Sequence, residues 1–423
     1  MNPARAVTPR FDLDAALARM VDADASDLHL KAGNRPLIRV EGRLVALDEG
    51  AEPLVPSDTE DVLHALLSPH RLSEFERTNE LDFAYGIRGL GRFRVNAYRQ
   101  RGTVALVLRA VTREVQTIAE LGLPAVVRRL AERESGLVLV TGASGSGKST
   151  TIAAMLEHIN ETMPKHVVTI EDPIEYLFKD KLSSIDQREV GVDTASFGVA
   201  LRQVVRQDPD VIFVGELRDA ETVVAALIAA DAGHLVLSTL PTADATDSVN
   251  FIMECFEPSE HVNVRGLLAS TLKGVVSQRL VPTIKPGGRI AACEIMTVTE
   301  RVRDALINPR GAAELAGIIA HGEIHGMQTL AQALYQATLT GEVSMRVALA
   351  HASHPHDLRL IAAADERPPA PAELAPPPAP AAHQPPPAPA GVQPSPAPDV
   401  HRPLGDRVAA PGPARASTPP PRR

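Results

Sequence analysis

Residues 136–151 read GLVLVTGASGSGKSTT and carry the most specific local pattern in the chain. It begins with an apolar run that is typical of a buried parallel strand. It continues with G-x-x-x-x-G-K-[ST], matched at every fixed position from Gly142 to Ser149, and then with a helical pattern. In such a strand–loop–helix unit the glycines let backbone N–H groups point at a polyphosphate, and the helix N-terminus adds its dipole. The stretch therefore predicts a nucleotide site.

The residues of this loop have distinct predicted roles. Lys148 is placed for the β- and γ-phosphates, and the Ser149 hydroxyl for Mg²⁺. The rest of the predicted phosphate-binding set is Gly142, Ser144, Gly145, Ser146, Gly147 and Thr150.

Composition narrows the class of protein. A chain of 423 residues exceeds one core and predicts two or three domains. No apolar run approaches the 18 residues of a transmembrane helix, and the N-terminus lacks the apolar segment of a signal peptide. Cys255 and Cys293 are isolated, which fits a reducing cytoplasm and argues against a zinc cluster. A net charge of −9 and 3% aromatic residues argue against nucleic-acid binding.

The N-terminal quarter reads as a small α+β domain, residues 1–110, joined to the rest by residues 111–124. Helical spacing covers residues 11–21 and 59–76. The strand-like segments are 28–31, 36–44, 81–86, 92–98 and 103–109. Five arginines cluster near the domain boundary: Arg92, Arg94, Arg99, Arg101 and Arg109. They form either a solvated strand face or a set from which some reach a nucleotide on a neighbouring subunit.

Residues 136–239 alternate strands with helices, the pattern of an α/β domain with a mostly parallel sheet. The strands are near 167–170, 211–214 and 235–238, and the helices near 148–160, 194–207 and 219–231. Because ligands bind at the carboxyl ends of such strands, the acidic residues that follow them are candidates. TIEDPIEY (169–176) supplies Glu175, and VGELRD (214–219) supplies Glu216. Helix N-capping is the alternative role, and it suits Asp172 and Asp219 better.

The remaining sequence divides at residue 367. Residues 245–350 have helical periodicity, notably around 267–276 and 330–339. Twenty of the 36 prolines lie after position 367, so residues 367–423 predict a disordered Pro/Ala-rich tail without a packed core. Such a tail is either passive or recruits a partner.

Several motifs together resemble the secretion-ATPase superfamily of type II secretion and type IV pili, most closely the pilus retraction ATPases. The matching pieces are ASDLHL (25–30), RFRVNAY (92–98), the loop at 141–151, TIEDPIEY (169–176), LRQVVRQDPDVIFVGELRD (201–219), GHLVLSTL (233–240), GVVSQRLVP (274–282) and GMQTLAQAL (326–334). They stand in family order and cover about residues 11–350.

The resemblance implies a hexameric ring of subunits, each with a PAS-like N-terminal domain and a RecA-like ATPase domain at 125–355 that ends in a helical part. It implies ATP sites between subunits, with Mg²⁺, and a position at the inner face of the cytoplasmic membrane against an inner-membrane platform protein of the pilus. Residues 299–307 sit where retraction ATPases carry a short AIRNLI-like helix, and the match is partial. An ordinary amphipathic helix is the alternative.

The resemblance also implies roles for single residues. Glu175 matches the catalytic glutamate of the aspartate box, and Glu216 the Walker B glutamate, a Mg²⁺ ligand together with Ser149. His234 matches the first histidine of the histidine box, for which ordinary packing is the alternative. Arg94 and Arg109 match arginines that reach phosphates in related ATPases. Because the loop domain offers no obvious arginine of its own, these two would complete a site on the next subunit.

One position departs from the family pattern. The family usually reads GHLV-x-x-TLHTNSA, whereas this chain reads GHLVLSTLPTADA, with Pro241 where the second histidine is expected. Proline can neither titrate nor hydrogen-bond through its side chain. The leading hypothesis is a retraction motor. The alternatives are an extension or secretion ATPase, a non-motor ATP-binding regulator and a nucleic-acid translocase.

Overall fold

The computed structural model describes residues 10–40, 42–111 and 115–365. The predicted Pro/Ala-rich tail at 367–423 lies outside these residues, so it stays a prediction.

The N-terminal part is a six-stranded antiparallel sheet with three helices. The strands, in the order β3-β2-β1-β6-β5-β4 across the sheet, are β1 (Asp27–Lys31), β2 (Leu37–Val40), β3 (Arg43–Ala46), β4 (Glu80–Ile87), β5 (Gly91–Gln100) and β6 (Thr103–Ala110). The helices are α1 (Leu13–Asp22), α2 (Pro56–Leu66) and α3 (Pro69–Thr78). The α+β prediction agrees with this architecture, while the PAS-like assignment stays a prediction.

Two predicted elements of this part are divided in the structure. The helix predicted over 59–76 is two helices, because Pro69 cannot continue α2 and instead begins α3, which Ser68 caps. The segment predicted as one strand over 36–44 is a hairpin, with Gly42 at φ +80° between β2 and β3. Glycine adopts this left-handed conformation without steric cost.

The second part is built on a seven-stranded sheet, ordered β13-β12-β7-β11-β10-β8-β9. The strands are β7 (Gly136–Thr141), β8 (His166–Glu171), β9 (Ser184–Glu189), β10 (Val211–Val214), β11 (Leu235–Leu240), β12 (Leu272–Pro282) and β13 (Arg289–Thr297). All neighbours are parallel except β12 and β13. Both faces are covered by apolar clusters, which confirms the prediction of an α/β domain with a mostly parallel sheet.

Eleven helices accompany this sheet in the described residues. They are α4 (Ala125–Ala131), α5 (Lys148–Thr162), α6 (Phe197–Val204), α7 (Ala220–Asp231), α8 (Ala245–Glu254), α9 (His261–Thr271), α10 (Glu300–Ile307), α11 (Leu315–Ala320), α12 (Leu330–Leu339), α13 (Met345–His351) and α14 (Pro355–Ala364). Short 3₁₀ turns cover Gly311–Glu314 and Glu323–His325. No helix in the described ranges is long and apolar enough to cross a membrane.

The helical prediction for residues 245–350 is wrong over its middle. Periodicity around 267–276 predicted a helix, but α9 ends at Thr271 and β12 begins at the next residue. The run Gly274-Val-Val-Ser is buried on both faces and pairs with β7, so tertiary burial decides its conformation. The antiparallel hairpin of β12 and β13 extends the sheet on the side of the phosphate-binding loop. β9 was also not predicted.

Glu294 on β13 holds the beginnings of two helices. Its carboxylate accepts hydrogen bonds from the backbone N–H groups of Ala245 in α8, at 3.0 Å, and Leu330 in α12. Burial raises the pKa of Glu294 from its ordinary 4.5 to about 7, and the charge of Asp244 adds to this effect. The folded state therefore holds this proton at pH values where the unfolded chain has lost it.

Substituting Glu294→Gln should flatten the pH dependence of stability. A raised carboxyl pKa stabilises the folded state most below pH 4.5, and that contribution is lost as the pH rises through 7. Between pH 6 and pH 8.5 the free energy of unfolding of the wild type should therefore fall about 1 kcal/mol more than that of the variant. Denaturant titration measures this difference. The exposed Glu323→Gln variant is the control and should follow the wild type.

Candidate nucleotide site

The phosphate-binding loop joins β7 to α5 in a turn that demands glycine. Gly142 has φ +141°, and a Cβ atom there would lie 2.4 Å from Ser146 Oγ and 2.5 Å from the carbonyl oxygen of Gln278. Gly147, at φ +89°, begins α5 from the left-handed region. The loop is therefore closed tightly on itself and against β12.

The side chain of Gln278 on β12 forms hydrogen bonds that hold the phosphate-binding loop in place. Its side-chain amide donates to the Ser146 carbonyl oxygen at 2.7 Å, and its amide oxygen accepts from the Thr151 hydroxyl at 2.9 Å. It therefore ties the loop to the first turn of α5. The sequence analysis gave Gln278 no role, although it stands in the quoted motif GVVSQRLVP. A buried glutamine within an apolar strand was the available signal.

The polar groups of the loop fit a polyphosphate. Lys148 Nζ donates to the carbonyl oxygens of Gly142 and Ala143, at 2.7 and 3.1 Å. Burial lowers the pKa of Lys148, and the carboxylates of Glu216 and Glu175 offset part of that effect. The buried Ser146 hydroxyl has no hydrogen-bond partner within the described residues, and an unsatisfied buried hydroxyl is a group that a ligand oxygen can satisfy.

A cavity of about 590 Å³ lies beside the loop and collects most of the predicted site. Of the predicted residues it is lined by Ser144, Gly145, Gly147, Lys148, Ser149, Thr150, Glu175 and Glu216. Gly142 and Ser146 lie below the surface of the loop, where both are buried. The strand ends that the sequence analysis singled out therefore meet at one place.

The segment that carries Glu175 is held by the buried Glu171 of β8 and the half-buried Gln187 of β9. Glu171 accepts from the Glu175 backbone N–H at 3.4 Å, and the Gln187 amide donates to the Tyr176 carbonyl oxygen at 2.8 Å. Burial raises the pKa of Glu171, and bonds from Thr169 and Gln187 only partly offset it. Glu171 is thus a support for the loop, while the Glu175 side chain is exposed at the cavity.

The domain that carries the phosphate-binding loop contains arginines at this cavity, although the sequence indicated no obvious arginine there. Arg218 and Arg289 both line it. Arg218 Nε donates to Glu216 at 2.8 Å, and its Nη1 lies 3.7 Å from Asp172 Oδ2. The sequence analysis quoted GELRD but assigned no role to its arginine. Asp219 of that motif is the N-cap of α7, as proposed, because its carboxylate accepts from the Thr222 N–H at 2.8 Å.

His234 does not reach the cavity within the subunit. It immediately precedes β11, so it lies at the amino-terminal edge of the sheet, and its Nδ1 donates to the Pro209 carbonyl oxygen at 2.8 Å. The six-residue strand separates this edge from the phosphate-binding loop by roughly 20 Å. Pro241, directly after β11, lines the cavity instead. The histidine-box role implied for His234 therefore stays a prediction, and within the subunit this residue lies at the opposite edge of the sheet from the cavity.

Arg94 and Arg109 are cross-strand neighbours on β5 and β6, away from the cavity. Arg94 is exposed. Arg109 Nε donates to Asp27 Oδ1 at 2.7 Å. Burial raises the pKa of Asp27, but hydrogen bonds from Ser26 and Arg109 outweigh it and leave the pKa below its usual value. Arg109 therefore has an ion-pair partner in its own subunit, whereas the part of the chain that the structure describes shows none for Arg94.

The chain matches known proteins along most of its length. Residues 88–362 match the family described as Type II/IV secretion system protein. The chain belongs to this family. It is 39% identical over 351 residues to the Type IV pilus ATPase PilU of Pseudomonas aeruginosa, covering 83% of this chain and 91% of PilU. It is 40% identical over 347 residues to the Type IV pilus retraction ATPase PilT of the same organism, covering 82% and 100%.

Solved structures of related secretion ATPases share the fold. The crystal structure of the pilus retraction motor PilT with bound ADP superimposes with a TM-score of 0.75 at 41% identity, over 83% of this chain and 99% of that one. The Legionella pneumophila ATPase DotB gives a TM-score of 0.70 at 27% identity, over 83% and 94%.

Replacing Gln278 should test the brace under the loop. Gln278→Ala removes both bonds to the loop and leaves the Ser146 carbonyl and the Thr151 hydroxyl unpaired. We expect ATP affinity to fall about tenfold, the effect of one or two lost buried hydrogen bonds. Titration with a fluorescent ATP analogue measures it. The exposed Gln207→Ala variant, at the opposite edge of the sheet, should bind as the wild type does; equal affinities for all three would remove the proposed brace.

Proposed function

We propose that this protein is an ATP-hydrolysing motor that drives type IV pilus retraction. The observation that carries the proposal is the convergence of Lys148, Ser149, Glu175 and Glu216 on one cavity beside a closed phosphate-binding loop. Relatives whose names describe pilus retraction match nearly their whole length.

The residues that line the cavity have different roles in ATP hydrolysis. The loop N–H groups and Lys148 hold the β- and γ-phosphates and offset their charge. Glu175 faces the cavity from a supported loop and orients the attacking water as general base. Bound Mg²⁺ would neutralise charge on the phosphate oxygens, and Ser149 and Glu216 are the residues that would hold it. Glu216 leaves its ion pair with Arg218 to do so.

We infer that the working form is a homohexamer with sites shared between subunits. Arg94 lies in a different domain from the phosphate-binding loop, and its exposed guanidinium is free to enter a neighbouring subunit's cavity, where it would offset transition-state charge. Arg109 can do the same only at the expense of its bond to the buried Asp27. The ring would bind an inner-membrane platform protein through its helical part, which includes α10, at the cytoplasmic face.

Pro241 favours a second candidate function, an ATP-binding regulator with slow turnover. This proline lines the cavity at the position where the resemblance implies a histidine, so a group that can sense phosphate is replaced by an apolar ring. An extension or secretion ATPase is less favoured. Type II secretion system protein E of P. aeruginosa is 33% identical over 327 residues, and the chain covers 61% of its length.

Glu175→Gln should separate binding from hydrolysis. The amide preserves size but cannot accept a proton, so we expect ATP affinity within about twofold of wild type and kcat lowered at least 100-fold, about 3 kcal/mol of transition-state stabilisation. Lys148→Ala should instead lose nucleotide affinity as well. Steady-state hydrolysis and nucleotide titration of purified protein measure both.

The same variants decide between motor and regulator. In a bacterium that lacks its own pilus retraction ATPase, the wild-type chain should restore retraction and Glu175→Gln should not. Near-normal hydrolysis by Glu175→Gln would move the catalytic base elsewhere. Wild-type turnover too slow to measure, with retraction not restored, would favour the regulator.

The shared site predicts rescue between two inactive variants. Arg94→Ala should lower kcat about 100-fold with little change in ATP affinity, because it removes transition-state charge compensation. Mixed with Glu175→Gln, it should regain activity, since some interfaces then pair an intact arginine with an intact glutamate. Arg94 is the better probe, because Arg109→Ala also removes the nearest cation of the buried Asp27 and leaves it only the longer contact to Arg39 and the bond from Ser26. Mixtures that never regain activity would refute site sharing through Arg94.

A further inference from the structure

One ion pair joins the N-terminal domain to the ATPase domain of the same subunit. Arg92 on β5 lies with Nη2 2.8 Å from Glu189 Oε2, at the end of β9. The side chains are 24% and 5% exposed, so both charges are largely withdrawn from water. A second contact lies close by, because Arg71 of α3 donates from Nη2 to the Gly191 carbonyl oxygen at 2.9 Å. The N-terminal domain therefore contacts residues 189–191 through two of its side chains.

The same carboxylate oxygen of Glu189 reaches the loop that carries the proposed base. Glu189 Oε2 accepts from the backbone N–H of Ile174 at 3.2 Å. Ile174 is 3% exposed and is the residue before Glu175. One oxygen atom thus connects the guanidinium of Arg92 to the backbone that positions Glu175.

The main chain of Glu189 is held by hydrogen bonds to Asp193. Its backbone N–H donates to Asp193 Oδ2 at 2.8 Å, and its carbonyl oxygen accepts from the Asp193 N–H, also at 2.8 Å. With its main chain anchored, the side chain has little freedom to compensate if Arg92 moves away. A buried carboxylate that loses its cation is strongly destabilised, and any rotation of the Glu189 carboxylate toward water would release the Ile174 N–H.

We propose that Arg92 is a positioning residue for ATP hydrolysis: it acts through Glu189 and the Ile174 N–H to hold Glu175 in place. The inference rests on the proposed function, since it takes Glu175 as the base. It separates Arg92 from Arg94, two residues along β5 on the same strand face, because Arg92 is bound within its own subunit while Arg94 is exposed. A movement of the N-terminal domain that withdraws Arg92 would slow hydrolysis without disturbing the phosphate-binding loop.

The first test is the effect of Arg92 on kcat and on the KM for ATP. Arg92→Gln should lower kcat about tenfold and leave KM within about twofold, because no contact of the phosphate-binding loop changes. Arg92→Lys keeps the charge and should recover part of kcat. The control is Arg88→Gln, an exposed arginine of the turn before β5, which should match the wild type. Sedimentation of each variant shows that the assembly state is the same.

The second test asks whether Arg92 acts through Glu189. Glu189→Gln should also lower kcat, and the double variant with Arg92→Gln should be no slower than the slower single variant, the sign of one shared interaction. If Arg92→Gln fails to assemble, Glu189→Gln carries the test alone, because it retains Arg92. Wild-type kcat in both single variants, or strictly multiplicative losses in the double variant, would overturn the proposal.

Glu175→Gln separates this inference from the function it rests on. If Glu175→Gln is inactive while Arg92→Gln and Glu189→Gln hydrolyse ATP at the wild-type rate, Glu175 remains the base and only the link is refuted. If Glu175→Gln hydrolyses ATP normally, the assignment of the base fails and with it the positioning role of Arg92. A rise in KM with unchanged kcat would make Arg92 a binding residue instead and would also refute the link.

Discussion

The closure of the phosphate-binding loop onto β12 is the constraint on which the site depends. A side chain at Gly142 would collide with Ser146 Oγ and with the Gln278 carbonyl oxygen, so the tight turn exists only with glycine there. The Gln278 amide then fixes both the loop and the first turn of α5. With these two held, Lys148 and Ser149 face the cavity from a preformed helix N-terminus and need little ordering when a polyphosphate binds.

Because the strands are parallel, polar residues that follow the strands lie at one edge of the sheet, and polar residues that precede them lie at the other. The ends of β7, β8, β10 and β11 lead into the phosphate-binding loop, the Glu175 segment, Glu216 and Pro241, all at the cavity. The beginnings of the same strands carry polar groups that satisfy one another, as in the bond from His234 to the Pro209 carbonyl oxygen. Position relative to a strand therefore decides whether a polar residue can serve the nucleotide.

This rule explains what the sequence could and could not predict. The parallel sheet, the loop and Glu175 and Glu216 followed from local patterns, because glycine spacing and apolar runs are dictated by nearby residues. Gln278 and Glu189 act through partners far along the chain, Ser146 and Thr151 for the first and Arg92 for the second, so a local pattern does not show what they contact. β12 itself was mistaken for helix, since a short apolar run that is buried on both faces lacks the alternation of a half-exposed strand. Because His234 directly precedes β11, the predicted parallel sheet already puts it at the amino-terminal edge; its histidine-box role came from the resemblance and not from this position.

The charges of the cavity bear on what a neighbouring subunit would add in the proposed ring. Asp172, Glu175 and Glu216 lie around one space, and Arg218 bridges two of them. Carboxylates so close together would repel one another, and Arg218 offsets much of that repulsion. In this arrangement the guanidinium of Arg218 contacts carboxylates and is not directed at phosphate. Lys148 and Arg289 line the cavity in which negative charge would develop on phosphate oxygens. In the proposed ring, an exposed arginine such as Arg94, which has no carboxylate partner among the described residues, would add to their compensation.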